Sequence, residues 1–230
     1  QDGCGPAAIV PGLNGDFFVT CYDANEIVKI SENGKTVASY KASKNGQKFI
    51  GPNDFAVDKN GGVYFTASGP GESAPIVGKI FYIDPSEIMS EVADDIHYAN
   101  GLALSNDGKT LFCAESEAGR IIQFSIGKNG MLSDRRLFVR VGSIDKKSGM
   151  LAYPDGLKID RSGKIYIGQF SMGRIVVVTP EGKFEKAIDV PSPSAPNLTF
   201  NSDESVIFVM AVDDVNNAPY PGKVYEVPNR

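Results

Sequence analysis

The stretch Tyr153-Pro154-Asp155-Gly156-Leu157-Lys158-Ile159, with the turn Ser162-Gly163 and the apolar run that follows it, decides the fold. It is typical of a strand that begins at a polar residue, a tight turn and a second strand. Three similar phrases occur elsewhere: Pro52-Asn53-Asp54, Ala99-Asn100-Gly101 and Pro196-Asn197-Leu198. Their key polar residues are 47, 55 and 42 positions apart (53 to 100, 100 to 155, 155 to 197). This spacing indicates repeated structural units.

Each repeat also contains a middle strand and a closing phrase of one small residue, one charge and several β-branched or aromatic residues. The middle strands are predicted at residues 17–20, 63–66, 110–114, 164–168 and 206–210, and the closing strands at 25–30, 78–83, 119–124, 173–178 and 222–227. A weaker fourth strand follows in some repeats. Four antiparallel strands in about 46 residues is the size of a propeller blade. We predict an all-β protein: one β-propeller domain over residues 1–230 with five visible four-stranded blades. A sandwich or barrel needs no such constant repeat.

Charge and composition exclude several classes of protein. The formal net charge is −5, and the longest cluster with basic residues is Asp145-Lys146-Lys147, which argues against a nucleic-acid or anionic membrane surface. No apolar run approaches the roughly 20 residues that span a bilayer. We therefore expect neither nucleic acid nor membrane among the partners.

The repeats predict a polar site. If every repeat forms the same sheet, Asn53, Asn100, Asp155 and Asn197 occupy one equivalent position around a common axis. Buried polar side chains at such a point need partners. Amide and carboxylate oxygens are the ligands that a hard divalent cation prefers. The sequence therefore predicts a cation site at the starts of the first strands.

The three cysteines carry a further prediction. Cys4 and Cys21 face each other across the first predicted hairpin, so a disulfide between them is one interpretation, and two buried thiols are the other. The chain starts at Gln1 without Met, which together with such a disulfide is compatible with a processed, extracytoplasmic form.

The same phrases resemble the SMP-30/gluconolactonase/LRE-like family of calcium-dependent propeller hydrolases. The resemblance covers most of the chain and rests on three stretches: Gly51-Pro52-Asn53-Asp54-Phe55, Tyr98-Ala99-Asn100-Gly101-Leu102 and Tyr153-Pro154-Asp155-Gly156-Leu157. It implies that Asn53, Asn100 and Asp155 are metal ligands, that calcium or another divalent cation is the cofactor, and that a small molecule such as a lactone is the substrate.

Two features depart from the family pattern. Family members have six blades, and the first supplies a metal-binding glutamate, whereas alignment of the repeats places Gly5 at that position here. The usual arginine two residues before Asn53 is replaced by Gly51. Because calcium affinity falls as carboxylates are removed, we expect weak binding, toward the millimolar range.

Further residues complete the predicted site. Asp155 is expected to act as cation ligand and general base, and His97, the only histidine, as a second catalytic group near Asn100. The predicted substrate contacts are Asn53, Asn197, Glu115 and Gln169. Each has a plainer interpretation, since amides also join strands and charged residues also lie in solvated loops.

Two functions follow from this sequence. The first is a divalent-cation-dependent hydrolase of the lactonase type, in which the cation polarises a lactone carbonyl. The second is a catalytically degenerate propeller that binds a small molecule or a protein. The order Asn, Asn, Asp favours the hydrolase, and the missing glutamate favours the binding module.

Overall fold

A computed structural model describes residues 3–12, 14–70, 75–149, 152–170, 172–217 and 220–230. These residues form nineteen β-strands and one four-residue helix, α1 (Val141–Ile144), together with short 3-10 turns. None of the helical segments in these ranges has the length and apolar character needed to cross a membrane. Gln1, on which part of the processing prediction rests, lies outside the described residues.

The strands follow one another as antiparallel neighbours in five groups, which we call sheets 1 to 5. Sheet 1 contains β1 (Pro6–Pro11), β2 (Phe17–Cys21), β3 (Glu26–Ile30) and β4 (Thr36–Tyr40). Sheet 2 contains β5 (Pro52–Val57), β6 (Val63–Ala67), β7 (Gly78–Ile83) and β8 (Met89–Ile96). Sheet 3 contains β9 (Ala99–Leu104), β10 (Thr110–Glu115), β11 (Arg120–Ile126) and β12 (Leu132–Arg140). Sheet 4 contains β13 (Pro154–Ile159), β14 (Ile165–Gln169), β15 (Arg174–Val178) and β16 (Phe184–Asp189). Sheet 5 contains β17 (Ser194–Phe200), β18 (Val206–Val212) and β19 (Gly222–Pro228).

This strand order is that of successive propeller blades, so the predicted all-β propeller class is confirmed. One detail is wrong: sheet 5 has three strands, not four, in the part of the chain that the structure describes. Sheet 5 is also joined to sheet 4, because Gln169 of β14 pairs with Ala195 of β17.

The first strands share a local irregularity that the sequence pattern does not reveal. In β1, β5, β13 and β17 the pairing with the middle strand shifts by one residue, so that two residues oppose one. Such a bulge bends the strand and changes the direction of nearby side chains. In β13 the bulged residues are Asp155 and Gly156, which follow the paired residue Pro154.

The contacts group the chain into two compact units: residues 1–112 with 124–135, and residues 113–123 with 136–230. In the first unit, the rings of Phe49, Phe65 and Phe81 pack with centroids 5.0 to 5.1 Å apart. Burying aromatic rings in such pairs supplies much of the stability of a small core. Lys29 binds Asp16 and Glu87 at 3.0 and 2.5 Å, and these hydrogen bonds raise the pKa of Lys29.

In the second unit, a core cluster lies between sheets 4 and 5, and it includes Tyr166, Ile175 and Leu198. A buried ion pair lies beside it. The guanidinium of Arg174 in β15 binds Asp145, just after α1, at 2.7 Å and also contacts Asp189 of β16. The prediction of a single domain over residues 1–230 stays a prediction.

The predicted disulfide between Cys4 and Cys21 is present. It closes the first hairpin at the start of β1, where Pro6 pairs with Cys21. The N–H groups of Tyr22 and Asp23 donate to the carbonyls of Gly5 and Cys4, at 3.0 and 3.2 Å. The third cysteine, Cys113, is a buried thiol in β10.

Candidate functional site

The three residues predicted as metal ligands each occupy the second position of a first strand. Asn53 lies in β5, Asn100 in β9 and Asp155 in β13. Asn100 is almost fully buried, and Asn53 and Asp155 are half-buried. The first two belong to the first compact unit and Asp155 to the second.

Hydroxyl groups of one sheet hold the first strand of the next. In the first unit, the Thr20 Oγ1–H donates to the Asn53 carbonyl and the Thr66 Oγ1–H to the Asn100 carbonyl, both at 2.9 Å. The Ser68 hydroxyl donates to the Ala99 carbonyl at 2.6 Å. Because buried carbonyls need a partner, these bonds fix the main chain that carries the two asparagines.

The second unit repeats this arrangement. The Ser116 hydroxyl, directly after β10, donates to the Pro154 carbonyl at 2.5 Å, as Ser68 does to the Ala99 carbonyl. Ala99 and Pro154 are therefore equivalent, and so are the next residues, Asn100 and Asp155. The same type of contact thus positions a polar residue at the start of two successive first strands.

Asp54 is a residue of this region that the sequence does not assign to the site, because strand alternation predicts that it points away from Asn53. Its carboxylate is buried, and Oδ2 accepts a hydrogen bond from the Leu102 N–H at 3.0 Å. The Asp54 N–H donates to Thr66 Oγ1 at 3.0 Å. Asp54 therefore joins β5 to β9 beside Asn100. The only feature of the sequence that points to a role for Asp54 in this region is its charge directly after Asn53.

Two positions in the predicted ring are wrong. In sheet 1, the N–H of Ala8 donates to Thr20 Oγ1 just as the Asp54 N–H donates to Thr66 Oγ1, so Ala7, not Gly5, is equivalent to Asn53. In β17 the bulge falls between Ser194 and Asn197. The bulged residues there are Ala195 and Pro196, whereas Asn197 pairs regularly with Met210.

Asn197 still lies close to the strand of Asp155. A Cβ atom placed on Gly156 would come within 2.3 Å of the Asn197 Oδ1, so the carboxamide packs directly over that glycine. The Asn197 Oδ1 also accepts the N–H of Leu198 at 2.8 Å. Glycine at position 156 is what permits this close approach. The role of Asn197 as a substrate contact stays a prediction.

Glu115 and Gln169 end the middle strands of sheets 3 and 4, and both are buried, not in solvated loops. The Glu115 carboxylate pairs with the Arg120 guanidinium at 2.5 Å. Gln169 is different: within the described ranges, neither its Oε1 nor its Nε2 has a hydrogen-bond partner. The buried hydroxyl of Ser194, beside the Ala195 that pairs with Gln169, also lacks one.

Buried amides and hydroxyls without partners are rare in folded proteins and call for a bound polar group or water. Gln169 pairs in register with Pro154, the neighbour of Asp155. The residue types at Gln169 and Ser194 are neutral and able both to donate and to accept. A water or a hydroxyl-sized neutral group at the Gln169 carboxamide, and another at the Ser194 hydroxyl, would satisfy these atoms. Ser194 carried no recognisable signal in the sequence.

His97 lies in the two-residue turn between β8 and β9, directly before Tyr98. Its ring is half-buried. The Tyr98 hydroxyl forms a hydrogen bond of 2.9 Å with the hydroxyl of Tyr22, which follows β2. His97 is thus placed near the start of the strand that carries Asn100, as the sequence predicts. Its catalytic role stays a prediction.

The side chains at the strand starts determine which cation they could bind. Within the described residues, no group of three His, Cys, Asp or Glu side chains comes together. The oxygens at the strand starts are two amides and one carboxylate, which suit calcium in type but supply little charge. The main-chain carbonyls of Asn53 and Asn100 are already engaged by threonine hydroxyls. Asn53 and Asn100 thus offer amide oxygens in the first unit, and Asp155 offers a carboxylate in the second.

Comparison with solved structures supports the fold. A calcium-binding protein named regucalcin from Agrobacterium tumefaciens superposes with a TM-score of 0.79 at 16% identity, covering 96% of this chain and 75% of that structure. A gluconolactonase from Xanthomonas campestris superposes with a TM-score of 0.77 at 21% identity, covering 98% and 72%.

Sequence comparison gives the family. The lactonase drp35 of Staphylococcus epidermidis is 26% identical over 190 residues, 77% of this chain and 54% of that protein. The gluconolactonase of Zymomonas mobilis is 26% identical over 219 residues, 89% and 60%. The chain thus spans only 54 to 60% of the length of these relatives. The family model described as SMP-30/Gluconolactonase/LRE-like region matches residues 5–212. This chain therefore belongs to the SMP-30/gluconolactonase/LRE-like family.

Proposed function

We propose that this chain carries the site of a divalent-cation-dependent hydrolase of the lactonase type. The observation that carries the proposal is the repeated placement of Asn53, Asn100 and Asp155. Each is the second residue of a first strand. Hydroxyls of the preceding repeat bind the carbonyls of Asn53, Asn100 and Pro154, the last of which directly precedes Asp155. A binding site requires its oxygen ligands to be held in fixed positions, whereas polar residues of a surface loop need no such support.

Asn53, Asn100 and Asp155 would hold the cation, and calcium is the best match to their oxygens. When bound, the cation supplies Lewis-acid polarisation of the lactone carbonyl. With one carboxylate, the affinity is expected to be low, near the millimolar range. The relatives named lactonase, gluconolactonase and regucalcin support the reaction class and the choice of cation.

Asp155 would act as general base. Its carboxylate takes a proton from water as the water oxygen attacks the carbonyl carbon. The ester C–O bond then breaks, and the proton passes to the departing ring oxygen, which gives a hydroxy acid. His97, in the turn before β9, is proposed as a second proton carrier. Gln169 and Ser194 would hold a neutral hydroxyl or water next to the strand of Asp155.

The test is hydrolysis of several γ- and δ-lactones by the full chain in chelator, followed by restoration with calcium. Calcium should restore turnover and raise the melting temperature by mass action. Asp155→Ala should remove both effects. Asp107→Ala, in the exposed turn between β9 and β10, is the matched control and should leave both unchanged.

A second function is favoured by one observation. Ala7 occupies the sheet 1 position equivalent to Asn53, so this sheet contributes no side-chain oxygen there. A catalytically degenerate propeller that binds a small molecule or a protein would have this property. Equal melting temperatures with calcium and with chelator, together with no turnover, would contradict the first function, and saturable binding of a ligand under the same conditions would support the second.

A further inference from the structure

The residue directly before the first strand has the same unusual backbone in four sheets. Gly5, Gly51, Tyr98 and Tyr153 have φ angles of 55°, 60°, 61° and 37°. The same hydrogen bond identifies three of them as equivalent. The N–H groups of Tyr22, Ser68 and Phe170 donate to the carbonyls of Gly5, Gly51 and Tyr153, at 3.0, 2.8 and 3.1 Å.

Tyr98 belongs to the same set because Ala99 and Pro154, the residues that follow Tyr98 and Tyr153, accept equivalent serine hydroxyls. The left-handed backbone is therefore a requirement of this fold at that position. Glycine meets the requirement without strain, and sheets 1 and 2 use it. A bulky side chain in this conformation is an outlier, and such strain concentrates at functional sites.

Sheet 2 has glycine at this position, yet an aromatic ring still lies there. A Cβ atom on Gly51 would come within 2.9 Å of Tyr22 Cε2, so the Tyr22 ring occupies the space of a side chain at position 51. The disulfide at Cys21 and the N–H bond to Gly5 hold Tyr22 in place. The Tyr22 and Tyr98 hydroxyls then bind each other at 2.9 Å.

A tyrosine ring thus lies at the start of β5, β9 and β13. Gly51, Tyr98 and Tyr153 each precede a proposed ligand residue by two positions, namely Asn53, Asn100 and Asp155. Tyr22, Tyr98 and Tyr153 are all half-buried, so part of each ring remains accessible. In the first unit, the two hydroxyls bond to each other, which holds the two rings side by side.

We propose that Tyr22 and Tyr98 of the first unit are substrate-contacting residues that select lactones bearing an apolar substituent, and that Tyr153 has the equivalent role in the second unit. This inference rests on the proposed function and names its substrate class. Ring faces bind alkyl and aryl groups through dispersion and apolar burial. In this account, Tyr98 and Tyr153 are retained in a strained backbone because the rings bind substrate.

The experiment compares γ-nonalactone, which has an alkyl tail, with γ-butyrolactone, which has none. Tyr98→Gly and Tyr153→Gly remove a ring while the backbone keeps its left-handed conformation. Each should raise the KM for γ-nonalactone about tenfold, a typical effect of lost apolar contact, and leave the KM for γ-butyrolactone unchanged. Tyr98→Phe keeps the ring and should keep the wild-type KM.

Asp134→Gly is the matched control, since Asp134 is exposed, has a φ of 52° and lies in β12, away from the strand starts. It relieves the same backbone strain and should change neither KM. If the tyrosine variants raise both KM values equally, or neither, the proposal is overturned.

A binding measurement separates this proposal from the proposed function. The chain has nine tyrosines and no tryptophan, so its intrinsic fluorescence reports tyrosine surroundings. If γ-nonalactone quenches the fluorescence of the wild type and quenches that of Tyr98→Gly less, the aromatic contacts are supported. If the same protein shows no turnover, the hydrolase is contradicted. No quenching and no saturable binding in the wild type overturns the contacts, even where another lactone is hydrolysed.

Discussion

The hydroxyl of Thr66 serves two strands at once, because Oγ1 accepts the Asp54 N–H and donates to the Asn100 carbonyl. Both backbone groups lie in buried residues of the first unit. Valine has nearly the same shape as threonine but leaves both groups without this partner. An unsatisfied buried backbone group costs about 1–3 kcal/mol.

We therefore predict that Thr66→Val lowers the free energy of unfolding by about 2 kcal/mol, because two buried groups lose their partner. Urea denaturation measures this change. Thr199→Val, at an exposed position of β17, is the control and should shift stability by less than about 0.5 kcal/mol. Equal effects of the two substitutions would show that the bridging hydroxyl contributes nothing specific.

The sequence predicts that polar residues begin the first strands, but it does not predict the exact position of each of them in the sheet. The phrases around Asn53, Asn100 and Asp155 indicate polar strand starts because a polar residue there interrupts an otherwise apolar pattern. Asn197 shows the limit of this reasoning. Its phrase looks the same, but the bulge in β17 places Ala195 and Pro196 at the bulged positions. A bulge depends on how two strands pair, and that information is absent from a local phrase.

At the scale of secondary-structure elements, the ion pair of Arg174 joins α1 to sheet 4. Burial raises the pKa of Asp145, but hydrogen bonds from Arg174 and Ser148 lower it by more, so the net shift is downward. A carboxyl with a lowered pKa in the folded state stabilises the protein above its unfolded pKa, near 4. This contribution is lost as the pH falls through the folded pKa.

We predict that Arg174→Met destabilises the protein by about 3 kcal/mol at pH 7, because it leaves a buried carboxylate without its partner. The difference from wild type should shrink at pH 3, where Asp145 becomes protonated in the variant. Urea unfolding at both pH values tests this. Lys164→Met removes an exposed pair with Glu185 and should have little effect. If Arg174→Met lowers the free energy of unfolding equally at both pH values, lost packing and not the lost ion pair explains the destabilisation.

The elements themselves were well predicted. Middle and closing strands fall within one or two residues of their expected bounds, because turn residues and β-branched runs mark them locally. The fourth strand of sheet 5 was expected from the repeat, not from its own residues, and it is not found within the described residues. Periodicity predicts what neighbouring repeats share and cannot show where one repeat differs.

At the scale of the whole molecule, the disulfide between Cys4 and Cys21 is a covalent link between residues that are distant along the chain. Cys4 and Cys21 are separated by 17 positions. Closing a loop of this size removes about 3 kcal/mol of entropy from the unfolded chain. For a protein of this length, each kilocalorie corresponds to about 2–4 °C in melting temperature.

We predict that a reductant lowers the melting temperature by about 6–12 °C. Calorimetry with and without reductant measures the shift. A double variant, Cys4→Ala with Cys21→Ala, should melt at the reduced temperature in both conditions. If the reductant still lowers the melting temperature of that variant, the shift has a cause other than this disulfide, because the remaining cysteine, Cys113, is a buried thiol.

The contacts from each hydroxyl to the carbonyl of the next first strand have a consequence for protein engineering. The hydroxyl that fixes the main chain of Asn100 belongs to Thr66, which lies in the preceding repeat. A designer who transplants only the Ala99-Asn100-Gly101 segment into another scaffold would move the ligand without its support. The smallest transferable module is therefore offset from the repeat: it starts at the middle strand of one blade and finishes within the first strand of the following blade.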